Sequence, residues 1–499
     1  MRKIPATMVS QHPDHARKPY WHSDAFIRNQ EEILEAHSSF FDLGVSEYKW
    51  DWEGKFVDEA VVERLLSEYY EDFRKAPLGK EKFLTFRLPN PKVESEFRLG
   101  RAFMGILGAT GLAEMANMYT PPLFEVILPM CESTQEMAAI QEAFQEISSL
   151  KHPLLKIQGA SRLQEIEIIP LFEQIEVIVN SPEIVRQYID YFSVRFGRKP
   201  EYLRPYVARS DPALNAGLVP TVLAIKLALS GYKLLAERTG VELYPIIGSA
   251  CLPFRGGLTP YSVAQFVNEY KGIRTALLQS AFRYDYPLED VRMAIAQLEK
   301  DLPRTEAVSI AEDDAQELQK VMAVFKREYA SVIEPVAPII NSVAAVLPKR
   351  RERVQHTGLF GYSRGVGSVK LPRAIGFTAA LYSVGVPPEI IGTGRGLQKT
   401  GAVELVKRHF VSMKAELQRA ARYVNMANLE SFAKKDPAWA AIREDVTALE
   451  KILEIDFAPQ TDEENEHLKL TSEIFRELSH HSVSGKTVEE AALLRKSLG

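Results

Sequence analysis

Between about residues 80 and 290, short apolar runs alternate with longer segments whose apolar positions recur every three or four residues. Residues 83–88, 123–128, 165–169, 203–208, 242–247 and 276–282 read as strands, with a further short strand at 176–179. Residues 57–74 read as a helix that puts Val61, Val62, Leu65, Leu66, Tyr69 and Phe73 on one face. A capping box at Ser133 and Glu136 opens a helix over 137–150, and Asn180-Ser181-Pro182-Glu183 opens another. A long apolar helix follows Leu218 and is stopped by Gly240, and Thr259-Pro260 opens the next. Past residue 290 the pattern turns helical, over 311–332, 335–347, 404–426 and 438–455. From Gln460 the chain is highly charged and reads as peripheral.

Strands alternating with helices predict a parallel sheet, closed either as a doubly wound sheet or as a barrel. No Gly-x-Gly-x-x-Gly follows the first strand, and charged residues follow many strands rather than one switch point. The expected fold is therefore α/β, a (β/α)8 TIM-type barrel with many additional α-helices, especially in the C-terminal third. Residues 1–499 read as a single catalytic domain, with barrel strands at roughly 80–380 and a helical region at 400–499.

Composition narrows the function classes. Of 499 residues 46% are hydrophobic, enough for a large core. A net charge of −5 argues against a dedicated nucleic-acid binder, so an anionic ligand needs locally clustered Arg and Lys. Cys131 and Cys251 lack metal-type spacing and read as small core residues in a reducing compartment. No apolar stretch follows the basic start, and Lys226 interrupts the best apolar run, at 219–229. Neither a signal peptide nor a membrane span is expected, and the expected location is cytoplasmic.

Candidate chemistry gathers at the predicted strand ends, where side chains are not committed to packing. Asp211 follows the 203–208 strand; it either serves a site or caps the helix that starts at Pro212. Glu173 closes the preceding strand. Two hard oxygen donors in adjacent loops suit Mg²⁺ or Mn²⁺, which often takes one or two carboxylates and leaves the rest of its shell to water and substrate phosphate. Arg87, Arg255, Arg283, Arg364, Arg373 and Arg395 fall in expected loops or strand ends. A guanidinium grips carboxylate or phosphate through two parallel bonds. In Arg255-Gly256-Gly257 the glycines allow a ligand to approach closely. His12 lies in a polar loop or strand end, and Pro13 favours extended geometry there. Residues 47–55, with Trp50 and Trp52 between charges, read as a lid or as ordinary packing. A metal, an arginine cage and a proton-moving histidine suggest phosphoryl or carboxyl chemistry on a small acid.

Ile4-Pro5-Ala6-Thr7-Met8 running into Gln11-His12-Pro13-Asp14 resembles the N-terminal catalytic-histidine motif of the phosphoenolpyruvate carboxylases. Pro170-Leu171-Phe172-Glu173 resembles that family's metal-glutamate segment, and Ser210-Asp211 through Gly217 its metal-aspartate segment. Phe254-Arg255-Gly256-Gly257 is similar to the end of its mobile glycine-rich loop, and Phe86-Arg87 and Leu371-Pro372-Arg373-Ala374-Ile375 to its substrate-arginine segments. The motifs occur in family order from residue 4 to about 396. The short length, Leu214 where the long enzymes carry lysine, and Ser249 where they carry an arginine resemble the archaeal-type branch.

The resemblance implies carboxylation of phosphoenolpyruvate by bicarbonate to oxaloacetate and phosphate, through carboxyphosphate and the enolate of pyruvate. It implies Mg²⁺ or Mn²⁺ on Glu173 and Asp211, and catalytic roles for His12, in an N-terminal loop over 4–20, and for Arg255. It implies substrate contacts from Arg87, Arg373, Arg364, Gly256 and Gly257, and a homotetramer with no nucleic-acid or membrane partner. The alternatives are another metal-dependent barrel enzyme acting on phosphoenolpyruvate or pyruvate, or a non-catalytic relative that binds an organic acid.

Overall fold

The computed structural model describes residues 3–499 apart from 54, 56, 93, 95, 119, 150–162, 353–363 and 367–368. Strands β1 (Thr7–Ser10), β2 (Glu47–Asp51), β3 (Phe83–Arg87), β4 (Glu125–Leu128) and β5 (Glu167–Phe172) run in parallel register. β6 (Tyr202–Leu203) leaves this ring to pair with β8 (Glu242–Leu243) in a separate two-stranded sheet. The ring continues through β7 (Tyr206–Val207), β9 (Ile246–Ser249) and β10 (Thr275–Leu278), and β10 pairs with β1 to close an eight-stranded parallel barrel. A hairpin of β11 (Arg364–Val366) and β12 (Val369–Leu371) lies apart from it.

The barrel with added helices matches the fold expected from the sequence, but its strands occupy residues 7–278 rather than 80–380. The segment around residue 8, read as a loop, is the first strand, and 47–51, read as a lid or packing, is the second. The expected strand at 176–179 lies inside the helix Ile175–Phe196, which also absorbs the helix start expected at Asn180. Pro182 cannot donate to the Ile178 carbonyl, but the Ser181 hydroxyl does so at 2.6 Å, and Pro182 packs against Gly231 of the next helix. The last barrel strand stops at Leu278, and Ser280–Tyr284 turns helical. The helices expected at 311–332 and 335–347 are one helix, Glu312–Ala344, which runs through Pro335 and Pro338 with Val332, Ile333, Val336 and Ile340 buried. Ser133 makes no side-chain cap, and Glu136 accepts instead from the amide of Glu132 at 2.8 Å.

Alternation along each strand divides the apolar residues between two cores. Val9, Tyr48, Trp50, Leu84, Phe86, Val126, Phe172, Val207, Ile247 and Leu278 face the surrounding helices in one large cluster. Met8, Ile127, Ile169, Leu171, Tyr206, Ile246 and Leu277 form a separate small cluster inside the barrel. Below it, at the N-terminal end of the strands, Arg204 donates to Glu47 at 3.0 and 2.7 Å, to Glu125 at 2.6 Å and to Thr275 at 3.1 Å. All four side chains are buried, and the two carboxylates hold the guanidinium charged despite its burial.

Around the barrel, Leu218–Thr239 packs against Ile175–Phe196 and Glu312–Ala344. It is long and apolar enough to cross a membrane, Lys226 notwithstanding, and is mostly buried within the protein. Lys226 ion-pairs with Glu269 at 3.1 Å. The charged C-terminal stretch is not peripheral. Helices Asp462–Ser479 and Gly485–Leu494 pack on one another, and the Leu498 amide donates to the Asp14 carbonyl at 2.7 Å.

Replacing Arg204 with Met would leave Glu47 and Glu125 buried without their cation. Urea unfolding of Arg204→Met is expected to show a loss of about 3–5 kcal/mol, the usual result of stranding one side of a buried ion pair.

Candidate active site

Inward positions at the C-terminal ends of β1, β2, β3 and β5 converge on one mouth. Asp51 and Arg87 are register partners on β2 and β3, and Arg87 Nε donates to Asp51 Oδ1 at 2.8 Å. Arg87 Nη1 also pairs with Glu53. Lys49 Nζ stands 3.2 Å from Asp51 Oδ1 with its side chain fully buried. Burial and the Arg87 charge pull the Lys49 ammonium down to about 8, against Asp51.

His12 lies two residues beyond Ser10 on β1, and its Nδ1 is 2.8 Å from Ser10 Oγ. The Ser280 hydroxyl donates to the His12 carbonyl at 2.6 Å, which fixes the backbone from the other side. The Gln11 side-chain oxygen accepts from the Asp51 amide at 3.0 Å and from Lys55 Nζ at 2.9 Å, tying β1 to β2. Burial, then Lys49, Arg87 and Arg373, hold the His12 imidazole well below its usual range, with Asp51 opposing. His12 is therefore neutral near pH 7 and able to accept a proton.

Glu173 directly follows β5 and is buried. Asp211 sits in the first turn of the helix Ser210–Ala216 and is not its cap: the N-cap position is Arg209, with no side-chain capping bond. Glu173 and Asp211 bear on one point inside the barrel. The Tyr206 hydroxyl is raised first by burial and then by Asp51, Glu173 and Asp211, against Arg87. Asp211 also acts on the Arg255 guanidinium, together with Asp14.

Arg255 closes a 3-10 turn, Pro253–Arg255, and is almost fully buried. Its guanidinium donates to Gln279 Oε1 at 2.5 Å, Ser210 Oγ at 3.2 Å, Asp14 Oδ2 at 3.4 Å and the Gly499 carbonyl. The turn is gripped from behind by Arg209, which donates to Phe254 O at 2.9 Å and Pro253 O at 3.1 Å. Gly256 and Gly257 adopt φ of +129° and +71°. A Cβ on Gly256 would lie 2.8 Å from Ser249 Cβ, and one on Gly257 would lie 2.5 Å from Arg419 Nη2, so glycine is required twice over.

Of the remaining expected residues, Arg373 precedes the helix Ala374–Ser383, is exposed and bears electrostatically on His12. Arg364 begins β11, which runs beside the helix of Asp211, and its side chain lies outside the described residues. Arg283 and Arg395 are structural instead. Arg283 donates to the Ser10 carbonyl at 2.6 Å and to Glu35 at 3.2 Å. Arg395 pairs with Asp445 at 3.0 Å and Glu328 at 3.2 Å in the helical region.

Lys49, Asp51, Glu53, Asp14 and Gln279 were not singled out by sequence reasoning. The signal for the first two was there: in Glu47-Tyr48-Lys49-Trp50-Asp51, charges and aromatics alternate with the period of a strand.

A closed barrel whose strand ends gather carboxylates, guanidiniums and a neutral histidine at one mouth belongs to the class of (β/α)8-barrel enzymes. The family described as phosphoenolpyruvate carboxylase matches residues 4–499. The chain is 39% identical over 477 residues to a protein of that name from Leuconostoc mesenteroides, covering 95% of this chain and 94% of the relative. It is 34% and 37% identical to phosphoenolpyruvate carboxylases from Metallosphaera sedula and Methanothermobacter thermautotrophicus, covering 100% of both chains in each case. The chain belongs to the phosphoenolpyruvate carboxylase family.

Histidine-selective NMR is expected to find the His12 ring neutral from about pH 6 to 9, where an ordinary histidine titrates near the lower limit. Lys49→Met removes the largest cationic influence and should raise the His12 pKa by about one unit.

Proposed function

We propose that this chain joins phosphoenolpyruvate and bicarbonate to give oxaloacetate and phosphate. The observation that carries the proposal is the shared mouth: a neutral His12 beside Arg87, with Glu173 and Asp211 acting on one buried hydroxyl. Family membership over residues 4–499 supports the same reading.

Arg87, held by Asp51 and Glu53, and Arg373 grip the carboxylate and phosphate of phosphoenolpyruvate. Arg364, Gly256 and Gly257 complete the substrate contacts. A bicarbonate oxygen attacks phosphorus and the bridging P–O bond breaks, leaving carboxyphosphate and the enolate of pyruvate. His12 takes the carboxyphosphate proton, CO₂ and phosphate separate, and the enolate carbon attacks CO₂. Arg255 holds carboxyphosphate and keeps water from protonating the enolate.

The residues present fit a divalent ion. Glu173 directly follows β5, Asp211 lies in the first turn of the helix Ser210–Ala216, and both act on the buried Tyr206 hydroxyl, so two hard oxygen donors face one region. Among the described residues no group of three or more His, Cys, Asp or Glu side chains forms a metal cage, and a two-carboxylate site suits Mg²⁺ or Mn²⁺. Glu173 and Asp211 would hold the ion, and its charge would lower the energy of the negative oxygen that develops on the substrate. A homo-oligomer, a tetramer by resemblance, is supported by Phe97, Met104 and Met115, exposed along the helix Glu96–Met115. A cytoplasmic setting is supported by the two free, buried cysteines.

A malate-dehydrogenase-coupled assay is expected to show oxaloacetate formation that requires bicarbonate and is abolished by EDTA. His12→Asn should still release phosphate from phosphoenolpyruvate while oxaloacetate formation falls by roughly 10³-fold. Phosphate release independent of bicarbonate would point to another barrel enzyme of phosphoenolpyruvate, and near-normal oxaloacetate formation by His12→Asn would remove His12 from the reaction.

A further inference from the structure

Behind the turn that carries Arg255 lies a buried acidic pair that the proposed reaction does not use. Glu269, at the end of the helix Val263–Glu269, and Glu416, on the helix Met413–Ala421, are both buried. Ser412 stands between them. Its amide donates to Glu269 Oε2 at 2.6 Å, and its Oγ is 2.8 Å from both Glu269 Oε2 and Glu416 Oε1. A hydroxyl carries one hydrogen, so it can donate to only one carboxylate oxygen. The other approach at 2.8 Å needs a proton of its own. Glu269 also faces the Lys226 ammonium at 3.1 Å, which favours placing the extra proton on Glu416. Glu416 Oε2 and Glu269 Oε1 are both buried with no hydrogen-bond partner, but only Glu269 Oε1 has an ammonium beside it, that of Lys226.

We infer that Glu416 and Glu269 share one proton through Ser412, and that Glu416 is thereby a positioning residue for the turn that places Arg255. The inference rests on the catalytic reading of Arg255. The link to the turn is direct. Arg419 Nη2 donates to the Gly257 carbonyl at 2.9 Å, and a Cβ on Gly257 would lie 3.7 Å from Glu416 Cδ. Arg209 holds the carbonyls of Pro253 and Phe254 and donates to Tyr270 Oη at 3.2 Å. On the far side of the turn, Glu389 accepts from the Phe254 amide at 2.7 Å.

The groups facing Glu416 are thus Arg209 from the barrel side, Glu269 and Tyr270 from one helix, with Lys226 behind Glu269, and Arg419 on its own helix. Burial and Glu269 push Glu416 up to about 7, against Arg209 and Arg419. While Glu416 is neutral, both guanidiniums stay on the carbonyls of the turn. Once it ionises, a carboxylate beside them competes for the same donors and repels Glu269, and the turn loosens. The sign follows: the grip is full on the acid side of the transition and weakens as pH rises through it.

Hydrogen exchange of the amides of Phe254, Arg255, Gly256 and Gly257, corrected for intrinsic chemistry, reads the grip without substrate. It therefore stands or falls separately from the carboxylation proposal. In the wild type, protection of these amides should drop by about tenfold between about pH 6 and 8, the size of a one-unit difference in proton affinity. Glu416→Gln keeps an amide beside Ser412 without a titrating proton and should remain protected throughout. A wild type with no such step, or a Glu416→Gln protein with the same step, overturns the inference. Should Glu416→Gln fail to fold, Ser412→Ala decides: losing the bridging hydroxyl, which in this arrangement accepts from the neutral acid and favours it, should move the step downward by roughly one pH unit, and an unmoved step overturns the inference.

Discussion

Closure of the barrel is the constraint from which the remaining structure follows. Once β10 hydrogen-bonds to β1, no edge remains in the barrel, and every second residue of its eight strands must enter one narrow interior. That interior is layered. A polar floor of Arg204, Glu47, Glu125 and Thr275 carries an apolar waist of Met8, Ile127, Ile169, Leu171, Tyr206, Ile246 and Leu277. Above the waist come Lys49, Asp51, Arg87 and His12. The waist keeps the two charged layers apart and dry, so each must balance its own charge. The floor does so with Arg204 between Glu47 and Glu125, and the mouth with Lys49 and Arg87 against Asp51 and Glu53.

The same low-dielectric surroundings explain why a histidine among carboxylates is nevertheless neutral. Proximity to Asp51 favours the imidazolium, but burial and the cations on Lys49, Arg87 and Arg373 act the other way and prevail. Arg87 illustrates the complementary rule. Its planar fork is held by Asp51 on one side and Glu53 on another, so little rotamer freedom remains to be lost when it meets an anion. A lysine at that position would be charged but not oriented. The layering at the mouth, with Lys49 one level below the Asp51–Arg87 pair, therefore sets both the protonation of His12 and the orientation of the Arg87 guanidinium.

His12, Arg87, Glu173, Asp211 and Arg255 could be singled out in the sequence as candidates because each falls within a recognisable motif, and the motifs come in a telling order. The elements around them were less so, for local reasons. β1 is four residues between two prolines, too short for a period to register. β2 alternates charges with aromatics, a pattern normally read as half-exposed, because charges inside a barrel are rare and only tertiary pairing permits them. Pro182 looked like a helix start, and only the Ser181 hydroxyl that replaces its lost bond reveals a continuous helix. Arg283 and Arg395 had the residue type and spacing of substrate ligands, and what separates them from Arg87 is the company of Glu35, Asp445 and Glu328, which no local pattern encodes.

Arg255 gathers what the barrel alone does not supply. Its partners come from the start of the chain at Asp14, from the helix of Asp211 at Ser210, from the end of β10 at Gln279, and from Gly499. Two of these bonds join residues more than 240 positions apart, so they form only after the barrel has closed and the C-terminal helices have docked. The C-terminal region is consequently built into the surroundings of Arg255 rather than appended to the barrel. Asp14 and its neighbours are fixed by the Leu498 amide on one side and by Ser280 and Ala281 on the other. Because Asp14 lies only two residues beyond His12, any loosening of the docked helices reaches His12 and the Arg255 turn together, through one short stretch of backbone.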